Sequence, residues 1–531
     1  VAAGILLSRL VGLARQKLFA HYLGNGLEAA AWAAATRIPN VLQNLLGEGV
    51  LSASFIPVFA GLRAKKDEDG ARAVAGAVFG LLAVLVSVLV LLGVLAAPLL
   101  VEVIAPGYQG PARALTVQLV RLIFPGTGVL VLSAWCLGIL NSHRRFFLSY
   151  AAPVVWNGCI IAALVGFRGE QREALVVWAA WGNVAGSVGQ LVVQVPSVLR
   201  LLGRFSPRPT VASPAVRQVV AGFAPAVAAR GVVQVSAWVD TAYASLIGER
   251  AVAALSYAQT IALLPVSLFG MAISAAELPE MSADAVKSHE ERTAGLKARL
   301  QAGLERLAFF VVPSAVGFVA AGDLIAGALL ESGAFTAADS RFAWYLLLGS
   351  GLALWAQTSG RLYSSAFYAL KDTRTPLVFA AVRVGLGVAL GYVAVRVLPG
   401  ALGLPEHLGA VFITVTTGVT AWLEMALLRR ALGRQVGGVP GVTRQLVRCG
   451  AAAGAAGLAT LGAKAWLTAK FGASSQAAVE WGGAVLAPPA LPTLPTSLAL
   501  LVLFGAVYGV ACLVVQVPQA QALARRVLRR R

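Results

Sequence analysis

Apolar runs of about 20 residues recur from one end of this 531-residue chain to the other, and no other feature constrains its fold as tightly. In lipid a backbone amide finds no water, so a spanning segment must satisfy its own hydrogen bonds as a helix or within a closed barrel. The runs here are long and do not alternate, which excludes a barrel. Only 12% of the residues are charged, about half the share of an ordinary soluble domain. The expected class is therefore an all-α polytopic membrane protein.

Spans are expected near residues 1–22, 27–60, 75–104, 113–140, 147–167, 173–199, 215–246, 251–283, 302–330, 341–370, 375–396, 407–429, 445–467 and 495–517. That makes about fourteen. Pro39, Pro57, Pro265 and Pro279 lie inside long segments and are expected bend points. The loop charges test this map. Alternate loops hold Arg63, Lys65, Lys66 and Arg72; Arg144 and Arg145; Arg200 to Arg217; Lys287 to Arg306; Lys371 and Arg374; Arg429 to Arg448; and the Arg525–Arg531 tail. The intervening loops carry few basic residues. Such one-sided bias is the positive-inside pattern, and it places both termini in the cytoplasm.

An internal repeat is visible. Leu51-Ser-Ala-Ser-Phe-Ile-Pro57 resembles Ile273-Ser-Ala-Ala-Glu-Leu-Pro279, and Leu140-Asn-Ser-His-Arg144 resembles Leu370-Lys-Asp-Thr-Arg374. Two six-span lobes in a pseudo-twofold arrangement follow, at 1–200 and 201–430, with two additional helices and a basic tail at 431–531. Parallel repeats of this kind are a transporter architecture. The chain begins at Val1 inside an apolar run, so further residues are expected before it. Val1–Leu13 does not read as a signal peptide, because it carries Arg9 and no cleavage pattern.

A net charge of +20 would suggest nucleic acid in a soluble protein. Here it divides between topology-setting loops and charges within spans, and no nucleic-acid motif is present. Intramembrane charges are costly and usually face a cavity or a partner. The first two spans hold Arg9, Arg15, Lys17, Arg37 and Glu48. Guanidinium forks match phosphate oxygens, so Arg9, Arg15 and Arg37 are candidate ligands for a pyrophosphate group. Pairing with Glu28, Glu48 or helix-end carbonyls is the alternative. Arg361 offers positive charge from the second half. Asp240 and Arg383 are expected either to form a structural ion pair or to bind a coupling ion. Glu277, Glu280, Asp323, Glu424 and Arg121 lie nearer span ends and read as solvated or paired. Cys136, Cys159, Cys449 and Cys512 have no metal spacing, and no metal site or resident cofactor is expected. Short outer loops without an acidic catalytic set argue against an enzyme.

Ser8-Arg-Leu-Val-Gly-Leu-Ala-Arg15, Arg37-Ile-Pro-Asn40, Gly47-Glu-Gly49, Ser52 and Phe55-Ile-Pro57 together resemble the opening signature of the lipid II flippase family (MurJ/MviN). Phe367-Tyr-Ala-Leu-Lys-Asp-Thr-Arg-Thr-Pro376 resembles its signature before the eleventh span. The resemblance implies alternating access by two lobes in a bacterial inner membrane. It implies a lipid-linked disaccharide-pentapeptide headgroup in a cationic cavity, held by Arg9 and Arg15, and a polyprenyl tail in a groove at the last two spans. It allows coupling to the membrane potential, protons or sodium, and partners among cell-wall synthesis proteins. By the same resemblance Asp240 matches a sodium-site position of some relatives, with the Arg383 guanidinium expected in the cation's place. The chain departs from the family at Gln16, Ala30, Gln43 or Asn44, and Thr260, where charged residues are expected. Other exporters on this scaffold, or a precursor-binding scaffold that does not transport, are the rival readings.

Overall fold

The computed structural model describes residues 2–203, 205–284, 289–471 and 494–528. Arg204, Lys287, the 481–493 part of the last loop and Arg529–Arg531 lie outside the described residues, as do the side chains of Glu48 and Pro279.

The described residues are almost wholly helical. They form α1 (Ala2–Leu23), α2 (Leu27–Leu46), α3 (Glu48–Ala64), α4 (Glu68–Leu95), α5 (Ala97–Ile104), α6 (Gly110–Ser142), α7 (Phe146–Gly166), α8 (Arg172–Leu202), α9 (Pro214–Ile247) and α10 (Glu249–Pro265). A π-helical turn, Val266–Met271, joins α10 to α11 (Ala272–Asp284). Then come α12 (His289–Leu330), α13 (Ala337–Ala369), α14 (Arg374–Arg396), α15 (Leu398–Ala401), α16 (Gly409–Val436), α17 (Thr443–Phe471), α18 (Leu494–Val514) and α19 (Pro518–Leu528). Ten helical stretches among the described residues are long and apolar enough to cross a membrane. The helices α1, α7, α9 and α13 coincide with four further expected spans but fall outside that criterion.

Two expected spans are broken. Gly47 interrupts 27–60: its N–H bonds to the Gln43 carbonyl at 2.8 Å, and a β-carbon there would stand 2.2 Å from that same oxygen. Only glycine fits, so the bend falls at Gly47, with Pro39 and Pro57 inside the flanking helices. The second break is the π turn that follows Pro265.

The chain divides into two compact units, one of residues 1–253 with Ser332–Phe335, the other of Ala254–Glu331 and Thr336–Arg531. The first boundary was expected near residue 200. It moves because the 203–213 linker is not free. Phe205 packs edge-on against Phe79, with ring centroids 5.4 Å apart, and also meets Trp135 at 5.5 Å. Gly76 and Gly80 of α4 let the linker backbone approach, since a β-carbon at Gly76 would lie 2.3 Å from the Ser206 carbonyl oxygen. The following helix, α9, then packs on α2, α3 and α5.

The repeated turns share one geometry. Arg144 and Lys371 are both left-handed, at φ +58° and +62°. Arg145 N–H donates to Leu140 O at 2.8 Å, and Asp372 N–H to Phe367 O at 2.9 Å. The structural equivalence is thus Arg144 with Lys371, not with Arg374 as the residue match suggested. Lys66 makes the same turn, at φ +60°, with Asp67 N–H on Leu62 O.

In the second unit α17 and α18 pack on α12. Their anchor is an ion pair of Lys464 on α17 with Asp323 on α12, both largely buried. Of the two readings of Asp323, solvated or paired, the structure has it paired: it follows a kink at Ala321 and faces the accessory helix. Lys464 also lies 5.6 Å from the Trp344 ring centroid. Removing one member of a buried pair strands the other and costs about 3–5 kcal/mol. Lys464→Met should therefore lower the unfolding temperature of the purified protein sharply, and adding Asp323→Leu should restore most of it. Equal damage from the single and double variants would contradict this.

Candidate functional site

In the first unit, the turn Gly24-Asn25-Gly26 folds α1 back along α2. Gly24 has φ +63°, and a β-carbon there would meet the Ala334 carbonyl oxygen at 2.5 Å, so the tight turn depends on glycine. Above the turn, Phe19 of α1 meets Trp32 of α2 with ring centroids 4.6 Å apart. This contact pins the two helices together beside the turn. Arg15 lies four residues back from Phe19 and Arg37 five residues on from Trp32, each about 6–8 Å along its own helix from the ring contact. Beyond the turn α1 packs chiefly on α7 and α2 on α6. Arg9 lies about 9 Å further along α1.

The arginines differ in surroundings. Arg9 is exposed, and Arg15 and Arg37 are half-buried. The Arg15 guanidinium lies 5.1 Å from the Trp156 ring centroid on α7, within cation–π range. Its Nε is buried without a hydrogen-bond partner. Among the described residues no carboxylate stands within ion-pair distance of Arg9 or Arg15. Arg37 lies within electrostatic reach of Asp240 on α9. One half-turn before Asp240, the buried Trp238 Nε1 also lacks an acceptor. The first unit thus holds buried donors without acceptors and, near Arg37, a carboxylate. Between α2 and α9, Asn44 Nδ2 donates to Gln234 Oε1 at 3.3 Å.

In the second unit Arg383 of α14 donates from Nη1 to Glu424 Oε2 of α16 at 2.9 Å. Arg361 of α13 is exposed and lies within electrostatic reach of both. The expected partner of Arg383 was Asp240, and no second acidic residue was foreseen near it. The structure supplies one in its own unit. Glu424, expected to be solvated or paired near a span end, is paired; α16 runs on to Val436 and puts it past mid-helix. Glu277 and Glu280 pair with Arg306 and Arg299, each at 2.7 Å.

Residues 19–479 match the family model described as lipid II flippase MurJ. The chain is 30% identical over 521 residues to the lipid II flippase MurJ of Burkholderia cenocepacia, covering 96% of this chain and 95% of that protein. The chain belongs to the MurJ lipid II flippase family. Its fold is also similar to that of a solved structure titled lipid II flippase MurJ, inward closed conformation (TM-score 0.76, 20% identity, 98% of this chain and 99% of that one). A multidrug resistance MATE family transporter of the MOP superfamily, in an inward-facing conformation, is a more distant likeness (TM-score 0.65, 17% identity, 81% of this chain and 95% of that one).

The MurJ signatures acquire physical reasons here. Gly47 of Gly-Glu-Gly makes the α2–α3 break. In Lys-Asp-Thr-Arg-Thr-Pro, Lys371 makes the left-handed turn and Asp372 starts the next helix. The Asp372 carboxylate accepts from Thr375 N–H at 3.0 Å and from the Thr375 hydroxyl at 2.7 Å. At positions where the resemblance to the family leads one to expect charge, this chain places neutral groups. Asn44 bonds to Gln234, and the Thr260 hydroxyl bonds to the Ser256 carbonyl of its own helix at 2.9 Å. Ala30 is fully buried. Trp156, Trp238 and Gln234 are additions that charge-based reading missed. Their signal was a polar or aromatic side chain one helical step from a charged one.

The Thr375 N–H bond, with smaller help from its hydroxyl and from Gln435, holds the Asp372 carboxyl below its ordinary value of 3.8. A depressed carboxyl stabilises the fold above the unfolded-state value and loses that contribution as pH falls through the folded-state value. Asp372→Ala should therefore cost about 1 kcal/mol at neutral pH, as a lost helix cap does. Unfolding temperatures of parent and variant should converge in acid; a gap that persists at low pH would refute the cap.

Proposed function

We propose that this chain flips lipid II, moving its pyrophosphate-linked disaccharide-pentapeptide from the cytoplasmic to the outer leaflet of a bacterial inner membrane by alternating access. The observation that carries the reading is the set of unsatisfied buried donors in the first unit. Arg15 Nε and Trp238 Nε1 are buried donors lacking acceptors. Buried donors without partners are costly, so such a site is suited to an acceptor-rich ligand. A diphosphate supplies many oxygens and matches guanidinium forks. A drug exporter would favour a more aromatic, less basic lining.

Two roles follow for the headgroup. Arg15 and Arg37 hold the diphosphate, and Arg9, about 9 Å along α1, meets it nearer the entrance. Exposed Arg361 is positive charge of the second unit, beside the Arg383–Glu424 pair. For the tail, α17 and α18 leave an apolar groove of about 480 Å³ lined by alanines and valines, among them Ala452, Ala455, Val507 and Val510. Small side chains of that kind leave room for an isoprenoid chain.

The chain acts as a transporter, with no covalent step and no resident cofactor. Fourteen spans place both termini in the cytoplasm, consistent with the one-sided loop charges. The Arg383–Glu424 pair occupies polar space in the second unit with a guanidinium, which favours the membrane potential over sodium as the energy source. A net positive empty carrier is driven back inward by a potential positive outside. Proteins of cell-wall synthesis that consume the product are the natural neighbours.

The test is complementation of a flippase-depleted strain, together with lipid II translocation in proteoliposomes. A charge-assisted contact is worth about 1.5–3 kcal/mol, so Arg15→Ala and Arg37→Ala should each slow translocation roughly ten- to a hundredfold with folding intact. Collapse of the membrane potential should stall turnover. Translocation that survives both substitutions would refute the site.

A further inference from the structure

The face that α9 presents to α2 and α3 is registered along its length. A β-carbon on Gly222 would lie 3.5 Å from Ser54 Cβ, and one on Gly231 would lie 3.9 Å from Leu45 Cδ2. Asn44 bonds to Gln234. Further along, Gly107 N–H donates to the Ser245 hydroxyl at 3.1 Å. As residue numbers rise on α9 they fall on α3 and α2, the progression of an antiparallel pair. Continued from Asn44–Gln234 by six residues on α9 and seven on α2, that progression brings Arg37 opposite Asp240. Among the described side chains the seam is made of glycine contacts and neutral hydrogen bonds, with one charged step.

We propose that Asp240 is a resident counter-anion: it holds Arg37 and latches α9 to α2 while the site is empty, and the diphosphate of the substrate displaces it. The proposal rests on the substrate reading above and gives Asp240 a positioning role in the same reaction. The chemistry is an exchange of acceptors with no bond made or broken. A carboxylate and a phosphate both offer paired oxygens to a guanidinium fork. Asp240 has two oxygens. Arg37 carries five N–H donors, more than those two oxygens satisfy. A diphosphate carries more oxygens and more charge, so the guanidinium exchanges to it with net gain. Asp240 is then released, and the seam loses its one charged contact. The glycine positions let the helices part without unpacking large side chains. Specificity follows, because a neutral headgroup cannot displace the carboxylate.

The seam can be read directly by a disulfide, since the Ser54–Gly222 spacing suits one. Ser54→Cys with Gly222→Cys, in the full-length chain lacking its native cysteines, should cross-link readily in proteoliposomes under mild oxidation. Leu45→Cys with Gly231→Cys is the second reporter, should the first pair disturb folding. Purified lipid II should lower the cross-linked fraction. Asp240→Asn and Arg37→Gln should each slow cross-linking on the order of tenfold without ligand, as loss of a charge-assisted contact implies. The double variant should be no worse than either single one, and Asp240→Glu should retain most of the parent rate. Unchanged cross-linking in both single variants, or additive effects in the double, would overturn the latch. A seam that opens in the variants but ignores lipid II would leave the latch standing and overturn the substrate reading.

Discussion

A guanidinium group at mid-membrane depth must be given oxygen atoms or water, and the first unit is arranged around that demand. A glycine turn and the Phe19–Trp32 contact fix how α1 meets α2 beside that turn. Trp156 covers the Arg15 guanidinium with a ring face, which eases its burial without neutralising it. Asp240 answers Arg37 from the opposing helix. Had α2 continued unbroken into α3, the contacts with α9 would not hold one register. The break at Gly47 is what lets both short helices follow the same partner.

Much of this was legible in the sequence, because the signals concerned are local. Apolar runs locate helices wherever lipid is the solvent. Arginines inside such runs declare themselves by their cost. The glycines at 24 and 26 announce a turn. What the sequence hid depends on distance in space. Glu424 was assigned to a span end because hydropathy fades before the helix does, and α16 continues into its basic, solvated turn. The lobe boundary was drawn at a polar, proline-bearing stretch that reads as a linker. Its Phe205 in fact packs against the contacting rings of Phe79 and Trp135. Lys464 drew no notice because one lysine near the end of an apolar run ordinarily snorkels to the surface. Its partner lies 141 residues earlier in the chain.

The ion pairs divide into two kinds, and the division separates structure from function. Lys464–Asp323 is mutually enclosed, with both side chains mostly buried and an aromatic ring beside the ammonium. Nothing there invites exchange, and the pair fixes where α17 stands. Arg383–Glu424 has an exposed second guanidinium, Arg361, within reach, so one carboxylate serves two cations. The Arg37–Asp240 layer carries the larger surplus, since donors of Arg15 and Trp238 remain without acceptors.

That difference bears on the neutral residues Asn44 and Thr260, where the resemblance to the family leads one to expect charge. Each intramembrane arginine must be stabilised in the empty carrier as well as the loaded one. Asn44 and Gln234 satisfy one another at modest cost and hold α9 to α2. Arg37 has a carboxylate, Asp240, within electrostatic reach. On the latch proposed above, a self-contained counter-anion lowers the cost of the empty state and leaves a net attraction for a ligand with more oxygens than Asp240 offers.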